Sequence, residues 1–375
     1  MADTQIIEVD TPRLLKEFVL FPTRLYRNDS CYVRPLDSER IDFLSPNKNP
    51  FFSGARVKLF LAQRDGKSVG RISTCVYYAH NEMHDEQVGF FGFFDTIDDE
   101  TVGHALLKVA LITLKQEGMK KMRGPASLSL NHECGFLIEG FGERPVLLMP
   151  YNRPYQPHMA ESFGMEKVMD LNAYSMSRFD PQPERIWRVA ERLAKRSRVT
   201  IRPVNMSRFD EDVELVRVIY NKAWEKNWGF VPMSDAEFRY SAKQMKQIID
   251  PQLSLIAFVD SKAVGFSLSL PDFNQALRYL DGKLLPFGAL KLFWHTKIRR
   301  KIRGLRTITM GILPEYRKVG IDTLMHMQTF KNGVREGYET SELSWILETN
   351  DLMNHLAKSL GARFYKKYRI VEIAI

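Results

Sequence analysis

The chain has 375 residues, 44% of them hydrophobic and 26% charged, with a formal net charge of +9. Its length exceeds what a single core usually fills, so two domains are expected. The composition is not that of a disordered chain, and no apolar run approaches the ~20 residues that a membrane-crossing helix needs. Residues 1–180 hold 21 basic and 24 acidic side chains and residues 181–375 hold 33 and 21, so the halves carry −3 and +12. A phosphate-rich partner that binds one half is therefore expected at the second. Cys31, Cys75 and Cys134 are few, odd in number and widely spaced. Together with a start, Met1 to Gln5, that has neither the basic nor the apolar region of a signal peptide, they point to the cytoplasm.

The chain reads as a duplication. Residues 60–70 reappear as 255–265, both as an apolar strand, a short polar turn and a second strand opening on Val-Gly (Val69-Gly70 and Val264-Gly265). Residues 158–164 match 355–361 at nearly the same offset, from His158 and His355 to Gly164 and Gly361. Two domains follow, 1–180 and 181–375, joined through the weakly patterned stretch 177–183. In the first copy a strand over 88–94 runs into Asp95, Asp98, Asp99 and Glu100, which read as the cap of a helix over 102–114. His80 and His84 lie in an expected loop between strands and lack the spacing of a zinc-protease motif; no metal is expected. The run Asn131 to Gly135 reads as a turn.

The second copy opens on a short strand, 199–202. Ser207 to Asp210 resembles a capping box ahead of a helix that puts Val213, Val216, Tyr220, Ala223 and Trp224 on one face. A loop with Trp224, Asn227, Trp228 and Phe230 follows, and a second helix opens at Ser234 with Glu237 three residues on. After the hairpin comes an insertion, 271–304. There Phe287, Leu290, Trp294, Ile298 and Ile302 form an apolar stripe at helical spacing, among Lys291, Lys297, Arg299, Arg300, Lys301 and Arg303. No acidic residue falls between Asp281 and Glu315. The strand 306–312 then meets Pro314 to Asp322, the helix 324–336, a strand 341–347, a helix 351–360 and terminal strands. This order is mixed α/β, α+β in its sheet, with both domains of one design.

The strand, turn and helix around Gly320 make an anion site. Backbone N–H groups at such a helix start have no intrahelical partner, and the helix dipole adds positive potential, so a pyrophosphate fits. The hexapeptide Arg317-Lys318-Val319-Gly320-Ile321-Asp322 resembles the Gln/Arg-x-x-Gly-x-Gly/Ala signature of the GNAT acyltransferase superfamily. The order of elements, the Val-Gly hairpin, and an Asn followed by a helix and Gly are similar to that superfamily over 199–375, and more weakly over 1–176. The chain thus resembles tandem-GNAT proteins whose N-terminal copy is degenerate, since no Arg or phosphate turn follows its strand 88–94.

The resemblance implies acetyl-CoA or a longer acyl-CoA as donor, with its pyrophosphate on the amides of Lys318, Val319, Gly320, Ile321, Asp322 and Thr323. Arg317, Ile312 and Asn350 are implied as further donor contacts. Trp224, Asn227, Trp228 and Phe230 are implied as a wall over the acceptor, and Glu348 is the carboxylate placed to act as base or order a water. Two departures stand out. Asp322 replaces the last Gly/Ala, and two unit charges ~5 Å apart at an effective dielectric of ~20 repel by about 3 kcal/mol. The tyrosine that the superfamily often carries seven residues after its Asn is Ala357 here, and Ala160 in the first copy. The expected function is N-acyl transfer from acyl-CoA to a small-molecule or peptide amine. Two alternatives are an RNA-binding or membrane-binding protein that acts through 283–303, and a transferase that draws on aminoacyl-tRNA.

Overall fold

A computed structural model describes residues 3–375. In chain order the elements are β1 (Gln5–Glu8), α1 (Pro12–Leu25), α2 (Asp37–Phe43), β2 (Ala55–Arg64), β3 (Lys67–Tyr77), α3 (Tyr78–His84), β4 (Val88–Thr96), α4 (Glu100–Gln116), β5 (Lys121–Gly124), β6 (Phe136–Glu139), α5 (Tyr155–Ser162) and β7 (Glu166–Ser177). They continue as α6 (Glu184–Arg196), β8 (Val199–Pro203), α7 (Phe209–Trp224), α8 (Asp235–Met245), β9 (Ser254–Val259), β10 (Lys262–Pro271), α9 (Asn274–Leu277) and α10 (Gly288–Phe293). The last are β11 (Gly304–Ile312), α11 (Ile321–Glu336), β12 (Thr340–Leu347), α12 (Asp351–Ser359) and β13 (Arg363–Ala374). The mixed α/β order expected from the sequence is observed. By internal contacts the chain forms two compact units, one of Met1–Leu171, Leu277–Leu292 and Lys366–Ile375, the other of Asn172–Ala276 and Phe293–Tyr365.

In the first unit β1 to β4 form an antiparallel meander, and β5 adds parallel to β4 over Val88↔Lys121 to Phe90↔Arg123. The end of β13 closes this sheet against β5 and β6. The β2–β3 turn holds Asp65 and Gly66 at φ 48° and 70°, the geometry that favours tight hairpins. Helix α4 buries Val102, Leu106, Leu107 and Ala110 on Ile72, Phe91, Met122 and Phe136. Asp99 caps α4, accepting from the Thr101 amide at 2.9 Å and from Arg64 at 2.6 Å, as the acidic run suggested. Asp95 does not cap: it is a buried β4 residue that accepts from Tyr26 (2.6 Å) and Arg71 (2.8 Å). His80 and His84 lie on α3 rather than in a loop, because the chain coils as soon as it leaves β3.

In the second unit β8, β9, β10 and β11 are antiparallel neighbours, and β12 joins β11 in parallel. The second half of β7 lies beyond β12. One sheet face packs on α7 through Ile219, Ala223 and Phe266, the other on α11 through Ala257, Val264, Ile321 and Met325. Ser234 and Glu237 form the expected capping box of α8. No such box opens α7: Asn205 accepts from the Ser207 amide at 3.0 Å, making a 3-10 turn before the helix. The insertion is not one long helix. Among its described residues only the short α9, α10 and a π-helical turn, Trp294–Ile298, are coiled, and Ile302 lies outside them.

Burial sets an acid limit on stability. His80, His132 and His326 are each pushed down to about 4, first by desolvation, which outweighs the nearby carboxylates Glu86, Glu133 and Asp322. In the unfolded chain an imidazole titrates near ~6.5. Above that pH both states are neutral and this contribution is fully present; as pH falls towards 4 only the unfolded chain takes up protons, and stability drains away. The urea midpoint should therefore decline between pH 6.5 and 4, and His326→Gln should make that decline shallower. An unchanged slope in that variant would show that His326 is solvated.

Candidate functional site

The parallel ladder between β11 and β12 is short, running only from Gly304↔Thr340 to Thr307↔Leu343. Its end coincides with a bulge. On the other edge of β11, Leu268 pairs with Thr309 and Ser269 with Thr307, so Ile308 is an extra residue that re-aims the strand. Beyond Thr307↔Leu343 the register of the two parallel strands stops, which leaves a gap in the ladder between 308–312 and 344–347. In the first unit the corresponding gap is closed. The Ala126 amide donates to Phe91 O at 2.7 Å, and a Cβ on Gly92 would lie 1.9 Å from Ala126 O.

At the open end, 313–320 turns into α11. Lys318 and Gly320 take left-handed conformations (φ 67° and 83°), so amides along 318–321 form the start of the helix with no side-chain cap. That is the concave amide cluster that binds anions. Three contacts modify it. Arg317 donates to Ile312 O (3.2 Å) and to Ala223 O at the end of α7 (2.5 Å), so its side chain braces the turn. Asp322 Oδ1 accepts from the Thr323 amide at 2.8 Å, taking up one of the amides the sequence assigned to phosphate. A Cβ on Gly320 would approach Leu193 of α6 to 2.4 Å, so that helix packs directly on the turn.

Of the remaining sequence-assigned residues, Ile312 ends β11 and Val319 is exposed at the tip of the turn. Ile321 is buried against Met325 and Val264. Asn350 caps α12, accepting from the Met353 amide at 3.2 Å. Glu348 is half-buried just past β12. Trp224 packs over Gly311, where a Cβ would come within 2.7 Å of its ring, and so covers the diverged half of β11. Phe230 is buried at 5.4 Å from the Tyr220 ring, and Asn227 and Trp228 lie half-buried in the turn between. Ala357 and Ala160 are both buried, so no acid stands at either register.

Two features escaped the sequence reading. One is a buried polar cluster at the root of the gap. Arg306, fully buried, donates from Nε to Ser344 Oγ at 2.9 Å, lies 3.9 Å from Glu342 Oε1 and stacks 4.7 Å from the Trp345 ring centre. Tyr365 donates to the other Glu342 oxygen. Trp345 holds φ 56°, costly for an aromatic residue, at the point where β12 leaves the ladder. Polar residues alternating in a strand look solvent-facing, which hid the cluster. The other is α6, whose Trp187, Ala190 and Leu193 at helical spacing were a readable signal. Between α6 and α11 is a largely apolar cavity of about 60 Å³, lined by Ile186, Trp187, Ala190, Phe330 and Leu343 and reaching Thr323. His326 and Thr329 also line it, and neither His326 Nε2 nor Thr329 Oγ1 has a hydrogen-bond partner among the described residues.

A bulged strand that diverges from its parallel neighbour and ends on an amide-lined helix start defines the GNAT acyltransferase fold. Solved structures agree. The chain resembles a tandem GNAT protein from the clavulanic acid biosynthesis pathway with a TM-score of 0.59 and 11% identity, over 99% of this chain and 98% of that one. No protein-family model matches. In sequence it is 37% identical to the bacterial ceramide synthase of Caulobacter vibrioides, across 100% of this chain and 98% of the relative. It is also 37% identical to protein YghO of Escherichia coli, across 96% and 92%. The chain belongs to the family of these two proteins. Among the described residues no helix is long and apolar enough to cross a membrane, and no group of His, Cys, Asp or Glu is arranged to hold a metal ion.

Proposed function

We propose that the second unit transfers an acyl group from acyl-CoA to the amine of a long-chain amino alcohol, forming an amide. The observation that carries the reaction type is the gap between β11 and β12, which leads to the amide cluster at 318–321. A donor's pantetheine arm lies in the gap, its amides pairing with the strand edges that the ladder leaves open, and its pyrophosphate meets the turn. The substrate class follows the relative named for ceramide, an N-acylated long-chain amino alcohol.

The amine must be neutral to attack. Its nitrogen adds to the thioester carbonyl carbon, the C–S bond breaks, the amine proton leaves to a carboxylate or a water, and the CoA thiolate is released or protonated by solvent. A thiolate whose conjugate acid has a pKa near ~8.5 leaves without a dedicated acid, which suits a site with Ala357 where a tyrosine is common. Two carboxylates are candidates for the proton: Glu348 past the strand end, and Glu342 at the root of the gap.

Incubation with palmitoyl-CoA and sphinganine should release free thiol and amide in equal amounts, read by a thiol reagent and by mass spectrometry. Thiol without amide would reduce the reading to thioester hydrolysis, and neither product would overturn it. Glu348→Gln should lower kcat by about 10²-fold or more if that residue is the base. An unchanged rate would transfer the role to Glu342 or water.

A further inference from the structure

We propose that the stretch 283–303 is a docking element for an anionic lipid bilayer. Its apolar side chains are outside the protein rather than in it. Leu285 is 80% exposed, Phe287 66%, Leu290 67%, Phe293 57%, Trp294 46% and Ile298 55%. Exposed large apolar residues elsewhere in the described chain are scattered, which is ordinary for a soluble surface; here six fall within one short run of backbone. Four of the six, Leu290, Phe293, Trp294 and Ile298, lie on α10 and the π-helical turn that follows it directly in the chain.

Basic side chains share the same stretch. Lys283, Lys291, Lys297, Arg299, Arg300 and Lys301 are all exposed, and none makes an ion pair among the described residues. No acidic residue occurs between Asp281 and Glu315 to neutralise them. This is the complement of a membrane–water interface. The hydrocarbon boundary accepts Leu, Ile, Phe and Trp, while long cationic side chains extend to phosphate headgroups. Anionic headgroups add attraction for each cation held near the surface. RNA would use the cations and the aromatic rings, but it offers nothing to Leu285, Leu290 or Ile298. The aliphatic residues decide between the two.

The inference is independent of the proposed reaction, since it rests only on exposure and charge. It is tested by co-sedimentation of the full chain with vesicles of phosphatidylcholine alone or mixed with phosphatidylglycerol. Binding should be at least about tenfold stronger to the anionic vesicles. Leu290→Asp with Trp294→Asp should abolish it while leaving the circular dichroism spectrum unchanged. Lys297→Glu with Arg300→Glu should remove the preference for anionic lipid. Because these positions are exposed, the variants should fold. Equal, weak binding to both vesicles, or no loss in the aspartate variant, would overturn the proposal. So would tighter binding to single-stranded RNA than to anionic vesicles, unaffected by the aspartate substitutions; that result would assign the surface to nucleic acid.

Discussion

Replacing Glu342 with Ala should destabilise the protein by about 3–5 kcal/mol, read as a lower urea midpoint with an unchanged slope. Glu342 and its partner Arg306 are both almost wholly buried, so the charge of each offsets the cost of burying the other. Removing the carboxylate takes a negative charge away from a guanidinium in a low-dielectric interior, and the neutral Ser344 Oγ and Trp345 ring beside it cannot replace that charge. Tyr365→Phe is milder, because it removes one hydrogen bond to a charged acceptor and should cost about 1.5–3 kcal/mol. The double substitution Arg306→Met with Glu342→Leu separates pairing from packing. It should recover most of the loss, since matched apolar side chains avoid the desolvation of both ions. If the double variant is as unstable as Glu342→Ala, the two charges are not coupled.

Charges this costly at the root of the gap set a boundary. The Arg306↔Glu342 pair stands one step before the ladder ends, and Trp345, held in a left-handed conformation, marks where β12 turns away. The bulge at Ile308 does the same for β11. A strand pair that would otherwise zip further is thus stopped from both sides, and the gap is a built feature of the fold.

How much of this was legible in the sequence depended on range. The Val-Gly hairpin, the capping box of α8 and the strand–turn–helix around Gly320 are local, and each formed where the residues said it would. The bulge could not be seen, because an extra residue is defined only by the partner strand. The Arg306–Glu342 pair was hidden for the same reason: its members meet only across the β11–β12 ladder, and alternation alone gives them to solvent. The closing of the first sheet by the end of β13 is more remote still, joining Val371 to Gly124. In the insertion the apolar spacing implies a helix to Ile302, but the coil ends at Ile298, since Arg299 to Arg303 place four cations where a helix would crowd like charges.

Asp322→Ala should tighten the binding of CoA by about 10–100-fold, measured by isothermal titration at low salt. The expectation follows from two effects of the same sign. The carboxylate is the acidic group in the first turn of α11, and a like charge ~5 Å away at an effective dielectric of ~20 opposes the ligand by about 3 kcal/mol, less what solvent screens from a half-exposed group. It also holds the Thr323 amide at 2.8 Å, so its removal frees a donor. Against this, an acidic residue in the first turn stabilises α11 by about 0.3–1 kcal/mol, so the variant should unfold slightly more easily even as it binds better. Opposite changes in stability and affinity are the signature. Asp322→Asn separates the two effects, because it loses the charge yet keeps an oxygen for the Thr323 amide. It should gain the electrostatic part alone and fall between wild type and Asp322→Ala. If all three proteins bind CoA equally, the phosphates lie away from this turn, and the donor enters the fold by another route.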